Sequence, residues 1–150
     1  MFTRGLSVGV VTMTLAAALP ALAQQPSPAG RVKIASGSAF IVRGSASIPA
    51  RPGDAVFAAD TLRTGLDGAV GVTLKDDTRL SLGPGSEVRL ERYVYAPEVG
   101  GLGMVLKFVR GVAAYVSGRM AKLAPDSIRL ETPAAIVGVR GTTLAIRVDP

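Results

Sequence analysis

The side chains that could do chemistry in this sequence are carboxylates and arginines, because it contains no histidine and no cysteine. This excludes Ser-His-Asp and Cys-His nucleophilic arrangements, and zinc sites built from histidine or thiolate. Two carboxylates can hydrolyse a glycosidic bond when they lie about 5 Å or 6.5 to 9.5 Å apart. The acids here lie mostly beside glycine in turns or at outward strand positions: Asp54, Asp60, Asp67, Asp76, Asp77, Glu87 and Glu91. We interpret them as turn-forming residues and predict no catalytic residue and no enzyme.

Metal and cofactor sites require other patterns. Acidic turns can bind calcium, but Asp76-Asp77 lacks the alternating spacing of a D-x-D-x-D-G loop. The glycine stretches "GLGM" and "GPGS" are too short to cradle a phosphate and do not open onto a helix. The sequence therefore predicts a protein without a metal site or a cofactor.

One arginine lies in an unusual setting near the end of the chain, in "ETPAAIVGVRGTTLAIRV". The motif Gly138, Arg140, Gly141 and Thr142 interrupts the strand alternation, and glycine permits a bulge or corner there. Arg140 then points either inward, to satisfy carbonyls and a carboxylate such as Asp60 or Asp54, or outward as a docking charge. We favour the inward, structural role, because flanking glycines more often serve close backbone packing than ligand contact.

The basic residues outnumber the acids, 17 to 11, giving a formal net charge of +6. Without Arg4, which lies in a predicted leader, the balance is 16 to 11, or +5. Such a charge indicates weak affinity for polyanions. The cations are spread singly along strands without interleaved aromatics: Arg89, Arg92, Lys107, Arg110, Arg119, Lys122, Arg129 and Arg147. A solvated basic face is the simpler interpretation, and a nucleic-acid partner is not predicted.

The sequence pattern predicts that these residues lie on short strands and in the turns between them. From Arg31 onward, apolar and polar residues alternate with a period of two, and turn signals recur at "SGS", "LDG", "DD" and "GPG". This predicts an all-β single domain over 31–150, of short antiparallel strands, arranged as a sandwich or short solenoid, with no substantial helix. The continuously apolar region Leu102 to Leu123 is predicted to form two strands about Gly111, buried on both faces.

The N-terminal residues have the features of a cleavable signal peptide. Arg4 precedes an uncharged apolar stretch, and Ala21-Leu22-Ala23 matches an A-x-A cleavage site. We predict a signal peptide over 1–23, a flexible linker over 24–30, and a periplasmic or secreted protein without stable membrane insertion.

The order of the remaining signals resembles the FecR protein domain. The matching residues are Gly53-Asp54, Asp60-x-Leu62-x-Thr64-Gly65, Gly68, Leu74, Asp77, Leu80, Leu82, Pro84-x-Ser86, Gly111-x-Ala113, Thr132-Pro133 and Val139-Arg140-Gly141-Thr142. The resemblance implies an all-β exported sensing or interaction module. Its namesakes are transmembrane regulators whose cytoplasmic segment controls a sigma factor. Only four residues precede the hydrophobic stretch here, so we expect no direct sigma-factor contact.

The function predicted is therefore a non-enzymatic periplasmic sensing or protein-interaction module whose partner is another envelope protein. We expect binding by strand addition at an open sheet edge or through one sheet face. The candidate edge is "SIRLET", residues 127–132, with Ser127, Arg129 and Glu131 alternating outward, although the same pattern fits an ordinary paired strand. The alternatives are binding of envelope polyanions or glycans through a basic face, and self-assembly through exposed edges.

Overall fold

The protein is described by a computed structural model that covers Gly5, Pro20 and residues 26–150. Apart from Gly5 and Pro20, the predicted signal peptide lies outside the described residues, as do linker residues 24 and 25. Ala29 is buried and Gly30 begins the first strand, so the folded domain starts two residues before the predicted boundary at 31.

Period-two alternation produces strands throughout the described chain, most of them short. They are β1 (Gly30–Ser36), β2 (Ala39–Arg43), β3 (Ala46–Pro49), β4 (Ala55–Val56), β5 (Thr61–Thr64), β6 (Ala69–Leu74), β7 (Arg79–Leu82), β8 (Glu87–Ala96), β9 (Gly101–Val116), β10 (Ile128–Glu131), β11 (Ile136–Gly138) and β12 (Thr143–Val148). The one α-helix in residues 26–150 is α1 (Arg119–Leu123), and 3-10 turns span Pro97–Val99 and Pro125–Ser127. The all-β prediction is confirmed.

The strands form one curled sheet rather than two separate layers. Its main order is β3-β2-β5-β8-β9-β7-β6-β1-β4, while β10, β11 and β12 extend it on the other side of β9. Every pairing is antiparallel except that of β10 with β9. The curl encloses a core of aliphatic side chains with Phe108 and Tyr115.

The long strand β9 organises the sheet. Its first part, Gly101 to Arg110, pairs with β8, and its second part, Ala113 to Val116, pairs with β7. β7 and β8 thus follow each other along one side of β9, interrupted at residues 83–86, where the sheet bends. The predicted division into two strands is wrong, because Gly111 bends the chain with a φ of +85° and strand pairing continues past it.

The prediction that the β9 region is buried on both faces is also wrong. Met104, Leu106, Phe108, Ala113 and Tyr115 are buried, whereas Val109 and Val112 are exposed. Before and after the bend, only one face of β9 points into the core. Apolar residues on the other face, Val109 and Val112, therefore lie at the surface.

A buried serine replaces the sheet hydrogen bonds at the bend. The Ser86 hydroxyl donates to the Val112 carbonyl oxygen and accepts from the Val112 N–H, both at 2.9 Å. The Ser86 N–H donates to the Thr64 hydroxyl at 2.9 Å, and that hydroxyl donates to the Gly83 carbonyl oxygen at 2.7 Å. These contacts fix the direction of the second part of β9, and therefore of β12, which pairs with it.

Candidate interaction surface

Arg140 lies at the surface and not in the interior. Its side chain is 84% exposed, and its nearest carboxylate oxygen is Oδ1 of the exposed Asp126, 4.0 Å from Nη2. The predicted inward placement, with Asp60 or Asp54 as partner, is therefore wrong. An exposed pair at this distance contributes little to stability.

The buried carboxylate of Asp60 is instead held by Arg43. Two guanidinium nitrogens of Arg43 donate to it at 3.0 and 2.8 Å, and the Phe57 N–H adds a bond of 2.8 Å. The guanidinium lies 4.6 Å from the centroid of the Phe57 ring. The hydrogen bonds to Asp60 raise the pKa of the Arg43 guanidinium. Nothing near Arg43 in the sequence marks this pairing, because the partners are 17 residues apart and meet only across the fold.

Asp76 is the other fully buried carboxylate, and it too is occupied by hydrogen bonds. It accepts from the Tyr93 hydroxyl at 2.9 Å and from the Thr78 hydroxyl at 2.7 Å. The Met120 N–H, in the first turn of α1, donates to it at 3.3 Å. These bonds join the β6–β7 turn to β8 and α1, so the role of Asp76 is structural. Burial raises the pKa of Tyr93 well above its ordinary value.

The motif at 138–142 forms the turn that starts β12. Val139 packs in the core, Gly141 adopts a left-handed conformation with φ of +66°, and Thr142 is clamped by Ser117. The Ser117 hydroxyl and N–H both donate to the Thr142 carbonyl oxygen, at 2.9 and 3.0 Å, and the Thr142 N–H donates back to the hydroxyl at 2.6 Å. The motif is structural in its backbone, while its arginine is free to face solvent.

The predicted interaction strand is not a sheet edge. Strand β10, which contains Arg129 and Glu131, pairs with β9 on one side and with β11 on the other. Ser127 lies just before it in a 3-10 turn. Both backbone sides of β10 are used, so the edge prediction for 127–132 is wrong.

An open groove does bring several of the predicted residues together. Arg129, Gly138, Arg140 and Thr142 line a space of about 730 Å³ between β10, β11 and the turn before β12. Arg129 is 3.6 Å from a Glu131 oxygen. This C-terminal groove is open to solvent, and each of its two arginines lies near a carboxylate.

Four strands have one backbone side unpaired along their whole length within residues 26–150: β3, β4, β11 and β12. β1 and β8 have such a side over part of their length. β4 has two residues, β11 has three and ends in Gly138, and β3 ends in Pro49 with every residue exposed. Short length, proline and charged side chains are the usual protections of an edge against pairing, and of these β12 has one charged residue, Arg147. β12 has six residues, TLAIRV, with neither glycine nor proline. It is the least protected of these four edges.

The hydrogen bonds of β9 identify which backbone groups of β12 are free. Val112 directs its N–H and carbonyl toward Ser86 and Gly83, on the β7–β8 side. Antiparallel pairing alternates, so Ala113 and Tyr115 direct theirs toward β12, where their partners are Ile146 and Leu144. Thr143, Ala145 and Arg147 therefore present their backbone N–H and carbonyl groups at the free edge.

The side chains of β12 alternate in the same way. Thr143, Ala145 and Arg147 are exposed on the outer face, while Leu144 and Ile146 are half-buried against the core. An added strand could therefore hydrogen-bond to the free backbone groups of β12 and cover the half-buried side chains of Leu144 and Ile146. This is the geometry of strand addition.

A basic surface lies on the outer face of the sheet, where residues opposite each other on paired strands share a face. Arg92 and Arg129 both lie opposite Val105, and Arg89 lies opposite Lys107. The four cations are exposed. Carboxylates offset part of their charge, since Arg89 pairs with Glu91 at 2.8 Å. We call Arg89, Arg92, Lys107 and Arg129 the basic face.

The chain matches the family model described as FecR protein over residues 60–150. It belongs to the FecR family. No curated protein and no solved structure matches it. FecR-family proteins are sensing and signalling modules of the cell envelope that work with other envelope proteins. Within the part of the chain that the structure describes, no helix is both long and apolar enough to cross a membrane.

The residues of the FecR motifs have structural roles in this fold. Asp60, Thr64, Ser86 and Gly111 lie in the hydrogen-bond networks or at the bend described above, and Gly141-Thr142 starts β12. They hold the curl and orient the last strand. The FecR motif residues of this chain therefore build the scaffold that positions β12.

Proposed function

We propose that this FecR-family chain is a non-enzymatic module of the periplasm that binds another envelope protein by strand addition at β12. It acts without direct contact with a sigma factor. The observation that carries the proposal is the free edge of β12. Its unpaired backbone groups lie at Thr143, Ala145 and Arg147, beside the half-buried row of Leu144 and Ile146.

A proline substitution in β12 tests this directly. The Ala145 N–H points to the free edge, so Ala145→Pro removes a donor for an incoming strand and no bond to β9. The matched control is Ser47→Pro in β3. Ser47 is two residues before the natural Pro49, so its N–H also points outward. The two variants make the same chemical change at two different edges.

Each purified protein is used to capture partners from an envelope extract of its source at low and high salt. We expect a discrete protein that wild type and Ser47→Pro retain at high salt and that Ala145→Pro loses at least tenfold. Apolar and backbone contacts survive salt that screens exposed charges. Equal retention by all three proteins would contradict strand addition at β12.

The second candidate function is binding of an anionic envelope polysaccharide or glycan through the basic face. The arrangement of Arg89, Arg92, Lys107 and Arg129 on one surface supports it. The double variant Arg92→Gln/Lys107→Gln leaves both charge-paired arginines in place. It should weaken binding to an anionic polysaccharide severalfold at low salt and leave capture at β12 unchanged. Polysaccharide binding equal to that of wild type would remove this candidate.

A further inference from the structure

The free edge of β12 is complementary to itself. We propose that two copies of the chain pair antiparallel through β12, about a twofold axis at Ala145. This inference rests on the same edge as the proposed function and names a second copy as its occupant when no partner strand is bound.

The backbone of β12 satisfies the pairing. With Ala145 on the axis, Thr143 of one copy lies opposite Arg147 of the other. These are the residues whose N–H and carbonyl groups point to the free edge. All of them therefore exchange hydrogen bonds as close pairs of an antiparallel ladder. A slip by one residue would set them against residues already bonded to β9, and a slip by two would leave Thr143 or Arg147 without a strand partner.

The side chains agree with the same register. Leu144 lies opposite Ile146 of the second copy on the inner face, so both half-buried residues gain apolar cover. On the outer face Arg147 lies opposite Thr143, and the two Arg147 residues are four positions apart, about 14 Å along the strand. That separation exceeds the screening length at physiological salt, so the like charges do not oppose pairing.

The contact between two six-residue strands is small compared with the 1,200–2,000 Å² that stable complexes bury. The dimer is therefore weak and concentration-dependent. A partner strand that binds β12 displaces the second copy, because the two use the same backbone groups. Self-pairing thus protects an edge that the fold leaves open, and binding of a partner converts the dimer into monomers.

Cysteine cross-linking tests the register, since the natural chain has no cysteine. Paired residues that exchange hydrogen bonds have Cα atoms about 5.5 Å apart, within the range for a disulfide. Ala145→Cys should form a covalent dimer under mild oxidation. Thr143→Cys and Arg147→Cys, each alone, are the matched controls. In either variant the introduced cysteine lies about 14 Å from the same cysteine of the second copy, which is too far for a disulfide. A mixture of these two proteins should form the mixed disulfide.

Covalent dimer is measured on non-reducing gels at several protein concentrations. We expect Ala145→Cys and the mixture to cross-link at least tenfold faster than either control alone. Equal rates for all the single variants, or no dimer above the rate of random collision, would overturn the inference. Sedimentation equilibrium supplies a test without cysteine, in which Ala145→Pro should weaken association of the otherwise wild-type chain and Ser47→Pro should not.

The results separate this inference from the proposed function. If Ala145→Cys fails to cross-link while Ala145→Pro loses its envelope partner, self-pairing is wrong and strand addition stands. If Ala145→Cys cross-links specifically and Ala145→Pro captures its partners as wild type does, self-pairing stands and the proposed function is wrong.

Discussion

Replacing the buried carboxylate of Asp76 should remove a large part of the stability of the domain. The residue is 0% exposed and accepts hydrogen bonds from the hydroxyls of Tyr93 and Thr78 and from the Met120 N–H. Asp76→Ala leaves these donors without an acceptor. An unsatisfied buried donor costs about 1–3 kcal/mol, and neighbouring losses are not additive, so we expect a total of about 3 kcal/mol. Domains of this kind have about 5–15 kcal/mol of stability in all.

Urea denaturation gives the measurement, with tyrosine fluorescence as the probe, since the chain has three tyrosines and no tryptophan. At a slope of about 2 kcal/mol/M, the midpoint of Asp76→Ala should fall by about 1.5 M. The adjacent Asp77 is the control. It is exposed, lies 3.0 Å from Arg119 Nη2, and has a φ of +68° that asparagine tolerates. Asp77→Asn should stay within about 0.5 kcal/mol of wild type. A loss below about 1 kcal/mol for Asp76→Ala would refute the view that its carboxylate holds the turn, β8 and α1 together.

Three further changes test other parts of the scaffold. Burial raises the pKa of Tyr115 to about 12, above an ordinary value of about 10, so the folded state holds this proton more tightly. The stabilisation of the folded state that this pKa shift contributes is complete below pH 10 and is lost between pH 10 and 12, at about 1.4 kcal/mol per pH unit. In urea titrations over that range, the free energy of unfolding of Tyr115→Phe should therefore fall less steeply with pH than that of wild type. Gly111→Ala forces a side chain into a left-handed, crowded site and should cost about 3 kcal/mol by thermal melting, whereas Gly83→Ala, with ordinary contacts around its Cβ, should cost less than about 1 kcal/mol. Arg43→Lys loses the bidentate contact with Asp60 and should cost about 1 kcal/mol in urea; an unchanged midpoint would mean that one charge–charge contact suffices.

The strand pattern could be predicted from the sequence because alternation records burial locally. Val72-Thr73-Leu74 and Leu80-Ser81-Leu82 each alternate as strands with one face in the core, and Asp76-Asp77 forms the turn between them. The alternation does not record what lies beside a strand. β10 and β12 show the same pattern, yet β10 is paired on both sides and β12 on one.

Partners that are distant in sequence were beyond the reach of local patterns. The sequence marks Asp60 and Arg140 as notable but gives no sign that Asp60 binds Arg43. The apolar run around Gly111 predicts two doubly buried strands, because continuous hydrophobicity usually means burial on both faces. Here a bend in one strand places Val109 and Val112 on the outside. The β12 edge could be found only from the pairing, because a free edge is defined by the neighbour that it lacks.

Strand β9 is a member of both arms of the curled sheet, and this has a consequence for cooperativity. β8 and β10 pair with its first part, and β7 and β12 pair with its second part. The domain therefore cannot be separated into two halves that each keep all of their strand pairings. We expect one unfolding transition, with the same midpoint by every probe. A strand bound at β12 then stabilises the whole domain and not only its edge, because occupying that edge favours the one folded state that all of the strands share.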